Sequence, residues 1–261
     1  MTAMDLPHVL TRDIVIRATR ETVFRYFTDS RRWASWWGAG STIDPRPGGA
    51  VLIRYPGGVE AAGEVLELAP PDRLVFTYGF VSGQPIPAGS SRVEIRLEPA
   101  GSSTRVRLTH AFAEARARDE HVQGWRYQLS VFGNIVADEV QAQAASLVDA
   151  WFAAWAETND AARAIILAGA VVPGVRFRDR YSLIDGMDDL LPHIAAAQRF
   201  MPGFRPHRRG DIRHCQGTVL ADWMADGPEG QRGAAGTNVF TFDEHGRIES
   251  VVGLWSPGAT T

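Results

Sequence analysis

Residues 237–256 read TNVFTFDEHGRIESVVGLWS, and this stretch decides the fold of the second half of the chain. Asp243-Glu244-His245-Gly246 is a turn signal between two runs of strand-forming residues, which makes a hairpin. With the turn placed there, the register of the preceding strand follows. Side chains alternate across a strand, so Asn238, Phe240 and Phe242 share one face while Val239 and Thr241 take the other. An amide on the same face as two phenylalanines needs a partner, either structural or a ligand.

Working outward, the segment from about Asp211 to Ser256 gives three strands, broken by Gly227 to Gly233 and by the hairpin turn. Helices precede them. Leu147, Val148, Trp151, Phe152 and Trp155 step by three or four and form a wide apolar face, ended by Asn159-Asp160. A shorter helix runs through Ala164 to Ala168. A loop, FRDRYSLIDG, then leads to a helix from Met187 to Arg199, and Arg205, His207, Arg208 and Arg209 read as a solvated loop.

The first half has a different order and no internal repeat relates the two. A strand over Arg12 to Ala18 is followed by Thr19 at a helix N-cap position, a helix through Tyr26 and Phe27, and another around Arg32 to Trp37. Five period-two runs follow: Val51/Ile53/Tyr55, Val65/Leu68, Leu74/Phe76/Tyr78, Val93/Ile95/Leu97 and Val106/Leu108/His110. Turn signals at Pro56-Gly57-Gly58, Pro70-Pro71-Asp72 and Pro99-Ala100-Gly101 separate them. A long amphipathic helix over about Asp119 to Ala144, with Val122, Trp125, Leu129, Phe132, Val136 and Val140 on one face, closes this half. The reading is α+β: a curved antiparallel sheet around a long C-terminal helix in residues 1–145, then a second α+β domain with its own curved antiparallel sheet in residues 146–261.

Composition excludes several functions. Residues are 45% hydrophobic and 22% charged, values of a globular chain with a core rather than of a disordered one. A net charge of −3 gives no bulk attraction for nucleic acid or for an anionic membrane surface. All 27 basic residues are arginine, so Schiff-base lysine chemistry and a Walker-type phosphate loop are excluded. The single cysteine, Cys215, cannot pair internally, and no metal-ligand spacing appears; His110 and His121 look too isolated for one. No metal or cofactor is expected. The first residues lack a basic stretch followed by an apolar run, and no run spans a bilayer, so a cytoplasmic location is the expectation.

The phrases IVIRATRETVFRYFTDSRRWASWW, GEVLELAPPDRLVFTY and HVQGWRYQLSVF resemble the helix-grip superfamily of birch-pollen-allergen-like proteins, in the branch of heat-shock ATPase activator homologues. The resemblance covers about residues 12–140 and implies a cavity between sheet and helix. Chaperone regulation is a lesser expectation, because the relatives that perform it carry an additional chaperone-binding domain. AWFAAWAETND, FRDRYSLIDGMDDL and TNVFTFDEHGRIESVVGLWS resemble the nuclear-transport-factor-like cone fold of polyketide cyclases and ketosteroid isomerases, over about residues 146–256.

Ketosteroid isomerases move a proton with one carboxylate while two donors hold the enolate oxygen. The resemblance places the aspartate donor at Asn238, whose NH2 can donate without a shifted pKa. It places the base in the loop before Gly186, at Asp179 rather than Asp185, the cavity tryptophan at Trp255, and the tyrosine donor at Phe152, which cannot donate. Asp179 also reads as a loop cap. His214, Trp223, Phe240, Trp151, Phe152 and Trp155 are further candidates for the second cavity, though a lone histidine placed like His214 is more often a core histidine with its own partner. Asp222 falls on the opposite sheet face from Trp223. In the first half, Trp33, Trp36 and Trp37 cannot all face one way, so one should stand at a cavity mouth. Trp36, Trp37, Tyr55, Tyr78 and Trp125 are the ligand-binding candidates there, with core packing as the competing role.

The functional expectation is a two-domain binder of small apolar molecules of polyketide, steroid or lipid type. The alternative is an isomerase or cyclase acting on a polycyclic ketone in the second domain. The discriminating feature is whether Asp179 and Asn238 converge on one cavity. The cone-fold resemblance also implies a homodimer through the second domain.

Overall fold

The computed structural model describes residues 5–226 and 233–256. Two compact units result, Met1–Ala137 and Asp138–Thr261. The break expected at Gly227 to Gly233 lies, Gly233 apart, outside the described residues. Among the described residues no helix is long and apolar enough to cross a membrane.

The first unit begins with β1 (His8–Ile16), α1 (Arg20–Arg25) and α2 (Ser30–Trp37). β1 starts before the expected Arg12 because it pairs with a later strand along its whole length, from His8↔Phe112 to Ile16↔Thr104. Thr19 caps α1 by accepting from Thr22 N–H at 3.2 Å, and Asp29 caps α2 by accepting from Arg32 N–H at 2.8 Å. Six strands follow: β2 (Thr42–Ile43), β3 (Ala50–Arg54), β4 (Glu60–Ala69), β5 (Arg73–Tyr78), β6 (Ser91–Pro99) and β7 (Thr104–Phe112). With β1 they form one seven-stranded antiparallel sheet in the order β1-β7-β6-β5-β4-β3-β2. The long helix α3 (Ala115–Val140) buries Trp125, Leu129, Phe132 and Val136. This is the helix-grip fold, and of the three α2 tryptophans Trp36 and Trp37 line the first unit's cavity. Trp33, Trp36 and Trp37 are all buried. Trp33 packs edge-on against Phe76 and donates to Leu52 O, Trp36 lies against Phe27 and Phe132, and Trp37 against Tyr55 and Trp125. A short helix wedged between sheet and long helix is walled on more than one side, which period alone does not reveal.

The second unit continues with α4 (Ala144–Ala156) and α5 (Asp160–Ala170), joined at the Asn159 cap, which accepts from Ala162 N–H at 2.9 Å. Then come β8 (Val171–Arg178), β9 (Leu183–Asp185), α6 (Met187–Phe200), β10 (Arg205–Arg208), β11 (Arg213–Cys215), β12 (Thr218–Asp226), β13 (Ala234–Phe242) and β14 (Ile248–Trp255). The sheet order is β10-β12-β13-β14-β8-β9, with β11 on β12. Helices lead and a curved sheet follows, the cone-type α+β arrangement. The segment Arg205 to Arg208 is a strand paired with β12 rather than a loop, and Arg208 holds Asp149 at 2.7 and 2.9 Å.

The quoted hairpin forms where its turn signal stands. Asp243 Oδ1 accepts from His245 N–H and Arg247 N–H at 3.0 and 2.8 Å, and Gly246 closes the turn at φ +77°. A Cβ at Gly246 would also meet Val140 O at 2.3 Å, so only glycine fits. Asn238, Phe240 and Phe242 are buried together, as alternation requires. One feature escapes sequence reading: β8 runs parallel to β14, with Val252↔Arg178 in register.

Candidate functional site

Three neighbouring strands build the centre of the second unit's cavity. Antiparallel β13 and β14 pair Asn238 with Gly253. Parallel β14 and β8 pair Val252 with Arg178, which brings the next residues, Gly253 and Asp179, side by side. Asn238, Gly253 and Asp179 therefore form a row across the sheet. Glycine at the middle of the row keeps it open: a Cβ there would lie 3.2 Å from Asp179 Cβ and 3.3 Å from Asn238 Oδ1.

Asp179 is held by a turn and by an indole. Its Oδ1 accepts from Tyr181 N–H at 2.8 Å, its Oδ2 from Trp255 Nε1–H at 3.0 Å, and its own N–H donates to Ser182 O at 3.1 Å. Trp255 in turn stands edge-on to Trp223, their rings 5.2 Å apart over Gly236, which pairs with both. Asn238 is 5% exposed, and no described residue hydrogen-bonds its amide.

The cavity so formed has a volume of about 470 Å³. Of the residues read from the sequence, Asp179, Asn238, Trp151, Phe152, Trp155, Trp223 and Trp255 line it. Phe240 does not; it is fully buried beneath Trp151 and Phe152. His214 does not either. It lies on the edge strand β11, where Nδ1–H donates to Asp138 at 2.6 Å and Nε2 accepts from Gly217 N–H at 3.3 Å, so both nitrogens are satisfied away from the cavity. Asp222 lies on the sheet's other face, accepting from Arg213 and Thr237. Sequence reading missed Ser182 and His193, whose Oγ and Nε2 are 3.0 Å apart at the cavity wall. The available signal was helical spacing: His193 is three residues after the buried Leu190, on the inward stripe of α6.

The first unit holds a cavity of about 580 Å³ whose lining includes Trp36, Trp37, Tyr55, Tyr78 and Trp125, with His121 and Gln128 added. Tyr55 and Tyr78 share a hydroxyl–hydroxyl hydrogen bond of 2.9 Å. Burial pushes the Tyr55 pKa up to about 12, against the opposing effect of that bond, and holds that of Tyr78 well above its ordinary value. Both are neutral hydroxyls. His110 and His121 are not isolated, their rings being 5.3 Å apart. Trp125 Nε1–H donates to His110 Nδ1 at 2.9 Å. The proton of the neutral ring therefore lies on Nε2, which donates to Ser91 Oγ at 2.8 Å; that hydroxyl passes its own to Tyr78 O at 2.7 Å. Burial holds the His110 pKa well below its ordinary value, with His121 adding to the effect, and burial lowers His121 too. His121 Nδ1–H donates to Ala117 O at 2.7 Å. Among the described residues no group of three or more His, Cys, Asp or Glu could hold a metal ion.

Residues 17–137 match the family model described as Activator of Hsp90 ATPase homolog 1-like protein. That match lies inside the first unit, whose fold it accompanies. Among solved structures, a SnoaL-like family protein from Agrobacterium tumefaciens is 26% identical, covering 42% of this chain and 95% of its own, with a TM-score of 0.41. CalU16 from Micromonospora echinospora is 27% identical over 48% of this chain and 73% of its own, with a TM-score of 0.41. The Aha1 dimer from Colwellia psychrerythraea is 19% identical over 47% of this chain and 92% of its own, with a TM-score of 0.40. No curated protein matches the chain.

Proposed function

We propose that the second unit is a proton-transfer enzyme of isomerase or cyclase type acting on a polycyclic ketone, and that the first unit holds a small, uncharged, apolar ligand. The observation that carries the enzymatic reading is the Asn238 amide, buried, without a protein partner among the described residues, and one glycine away from the Asp179 carboxylate. The amide opens on the cavity, where its N–H is available to a ligand oxygen. In the proposed step, Asp179 takes the proton from the carbon next to the ketone. The C–H electron pair moves into an enolate whose oxygen accepts from Asn238 Nδ2–H. The aromatic walls exclude water around the developing charge.

The test is exchange of the α-protons of β-tetralone for deuterium in D2O, followed by NMR, with ligand binding read from tryptophan fluorescence. The wild-type chain should exchange the protons, and Asp179→Asn should fall to the buffer rate while still binding the ketone. A binding role without turnover is the second reading, favoured by the hydrogen bonds that both Asp179 oxygens already accept. Exchange equal to buffer in the wild type, with binding intact, selects it.

For the first cavity, the neutral Tyr55 and Tyr78 hydroxyls and a lining without arginine among the described residues support an uncharged ligand. Its carboxylate, Glu120, is held by Arg116 at 2.8 Å. We further propose that a second copy covers the outer sheet face of the second unit, where Met224, Val252 and Leu254 are exposed. Sedimentation that shows only monomer at every accessible concentration overturns this pairing.

A further inference from the structure

The second unit's cavity contains a titratable side chain that the carboxylate and amide do not use. His193 stands edge-on to Trp155, at 5.8 Å, and 6.3 Å from Phe177, two rings of the same wall. Its Nε2 is 3.0 Å from Ser182 Oγ. Ser182 is the fourth residue of the turn whose first residue is Asp179, and that turn is closed by Asp179 N–H donating to Ser182 O. A single turn thus presents both the carboxylate and the hydroxyl that anchors the imidazole.

The type of anchor matters. A serine hydroxyl donates to a neutral imidazole nitrogen and accepts from a protonated one, so it holds the ring in both states. The histidines of the first unit are held differently. His110 Nδ1 faces an indole N–H, which can only donate, and His121 Nδ1 faces a carbonyl, which can only accept. A ring that must give up and regain a proton in each cycle needs the partner His193 has.

We propose that His193 is a second catalytic residue of this cavity, the general acid that complements the Asp179 base, with Ser182 as its positioning residue. The proposal rests on the proton-transfer reading above and narrows the substrate class to β-hydroxy ketones that lose water. Asp179 removes the proton between the carbonyl and the hydroxyl-bearing carbon, and the C–H pair enters the enolate held by Asn238. That pair then forms the new C=C bond as the C–O bond breaks, and the leaving oxygen takes a proton from protonated His193 and departs as water. Asp179 ends protonated and His193 neutral, and proton return through water restores both. No oxidant, reductant or metal enters the balance.

The test uses two probes on the full chain. Deuterium exchange of β-tetralone needs only the base and the amide donor. Dehydration of the β-hydroxy derivative of α-tetralone, read by the fluorescence of the α-naphthol it yields, needs the acid as well. His193→Gln should lower dehydration by about 10²-fold or more, and at least tenfold more than it lowers exchange, the split expected of a positioned acid. Ser182→Ala, a smaller change to the fold, should show the same split at roughly tenfold. Added imidazole should restore dehydration to His193→Ala and not to Asp179→Asn. Parallel losses in both reactions, or no loss in either, overturn the role of His193 while leaving the base reading intact. A wild-type chain inert toward both probes instead sinks the base reading, and the acid assignment with it.

Discussion

Asn238 is where a single residue carries the most consequence. Its amide lies among Trp223, Trp255 and Phe177 in the cavity lining and has no bonding partner among the described residues. Asn238→Leu removes a polar group that no described residue hydrogen-bonds and puts an apolar side chain on an apolar wall. The second unit should melt at the same temperature or higher, while α-proton exchange falls by about 10² to 10³-fold, the cost of losing one oxyanion donor. Calorimetry and the exchange assay together check it. A lowered melting temperature with exchange that tracks only the folded fraction makes the amide structural. The face on which Asn238 lies was legible in the sequence, because the DEHG turn sets the register. Its closeness to Asp179 was not, since it depends on the parallel β8–β14 pairing, which leaves no local pattern.

At the scale of elements, the helices of the second unit are tied by one buried cation. Arg163 on α5 is 1% exposed; its guanidinium reaches Asp160 at 2.6 Å, Glu157 O at 2.7 Å and Gln198 Oε1 at 2.5 Å. Gln198 Nε2 then donates to Trp155 O and Glu157 O at 3.0 and 2.6 Å. The cluster joins the α4–α5 corner to α6, the helix that carries His193. Arg163→Met leaves Gln198 Oε1 without its donor in the interior, while the Glu157 carbonyl keeps only Gln198 Nε2–H. The expected loss is about 1–3 kcal/mol of second-unit stability. Denaturant titration checks it, and a change below a few tenths of a kcal/mol shows that the network contributes nothing net. In the sequence Arg163 reads as an ordinary helix-surface residue, because nothing local marks an arginine whose carbonyl and amide partners come from other elements.

At the scale of the whole molecule, acid should act on the first unit through His110. Its folded pKa is depressed below the ordinary 6.5, so the folded unit stays unprotonated where the unfolded chain binds a proton. More protons on the unfolded state means stability rises with pH. The contribution is complete above 6.5 and is lost as pH falls below it, at about 1.4 kcal/mol per pH unit from one such histidine. Tyr55 acts at the other end: its folded pKa of about 12 against the ordinary 10 means stability present below pH 10 and lost between those values. Thermal melts should therefore show the first unit's transition dropping below pH 6.5, and His110→Gln should flatten that dependence. An unchanged slope in His110→Gln counts against His110 as its source.

The sequence by itself determined the α+β class, the long amphipathic helix that follows the first half's strands, and the hairpin with its register. Each of these is written in local periods and turn residues, where the physics of one strand or one helix suffices. Tertiary structure alone decided the functional geometry. The row Asn238–Gly253–Asp179 needs three strands from separate parts of the chain, one of them parallel. The Ser182–His193 pair needs α6 folded back onto the turn that carries Asp179. His214, a cavity candidate with a satisfied histidine as its competing reading, is held by Asp138, a partner far off in sequence. Chemistry that depends on convergence of distant segments has no periodic signature, because the energy that brings those segments together is the packing of the whole unit.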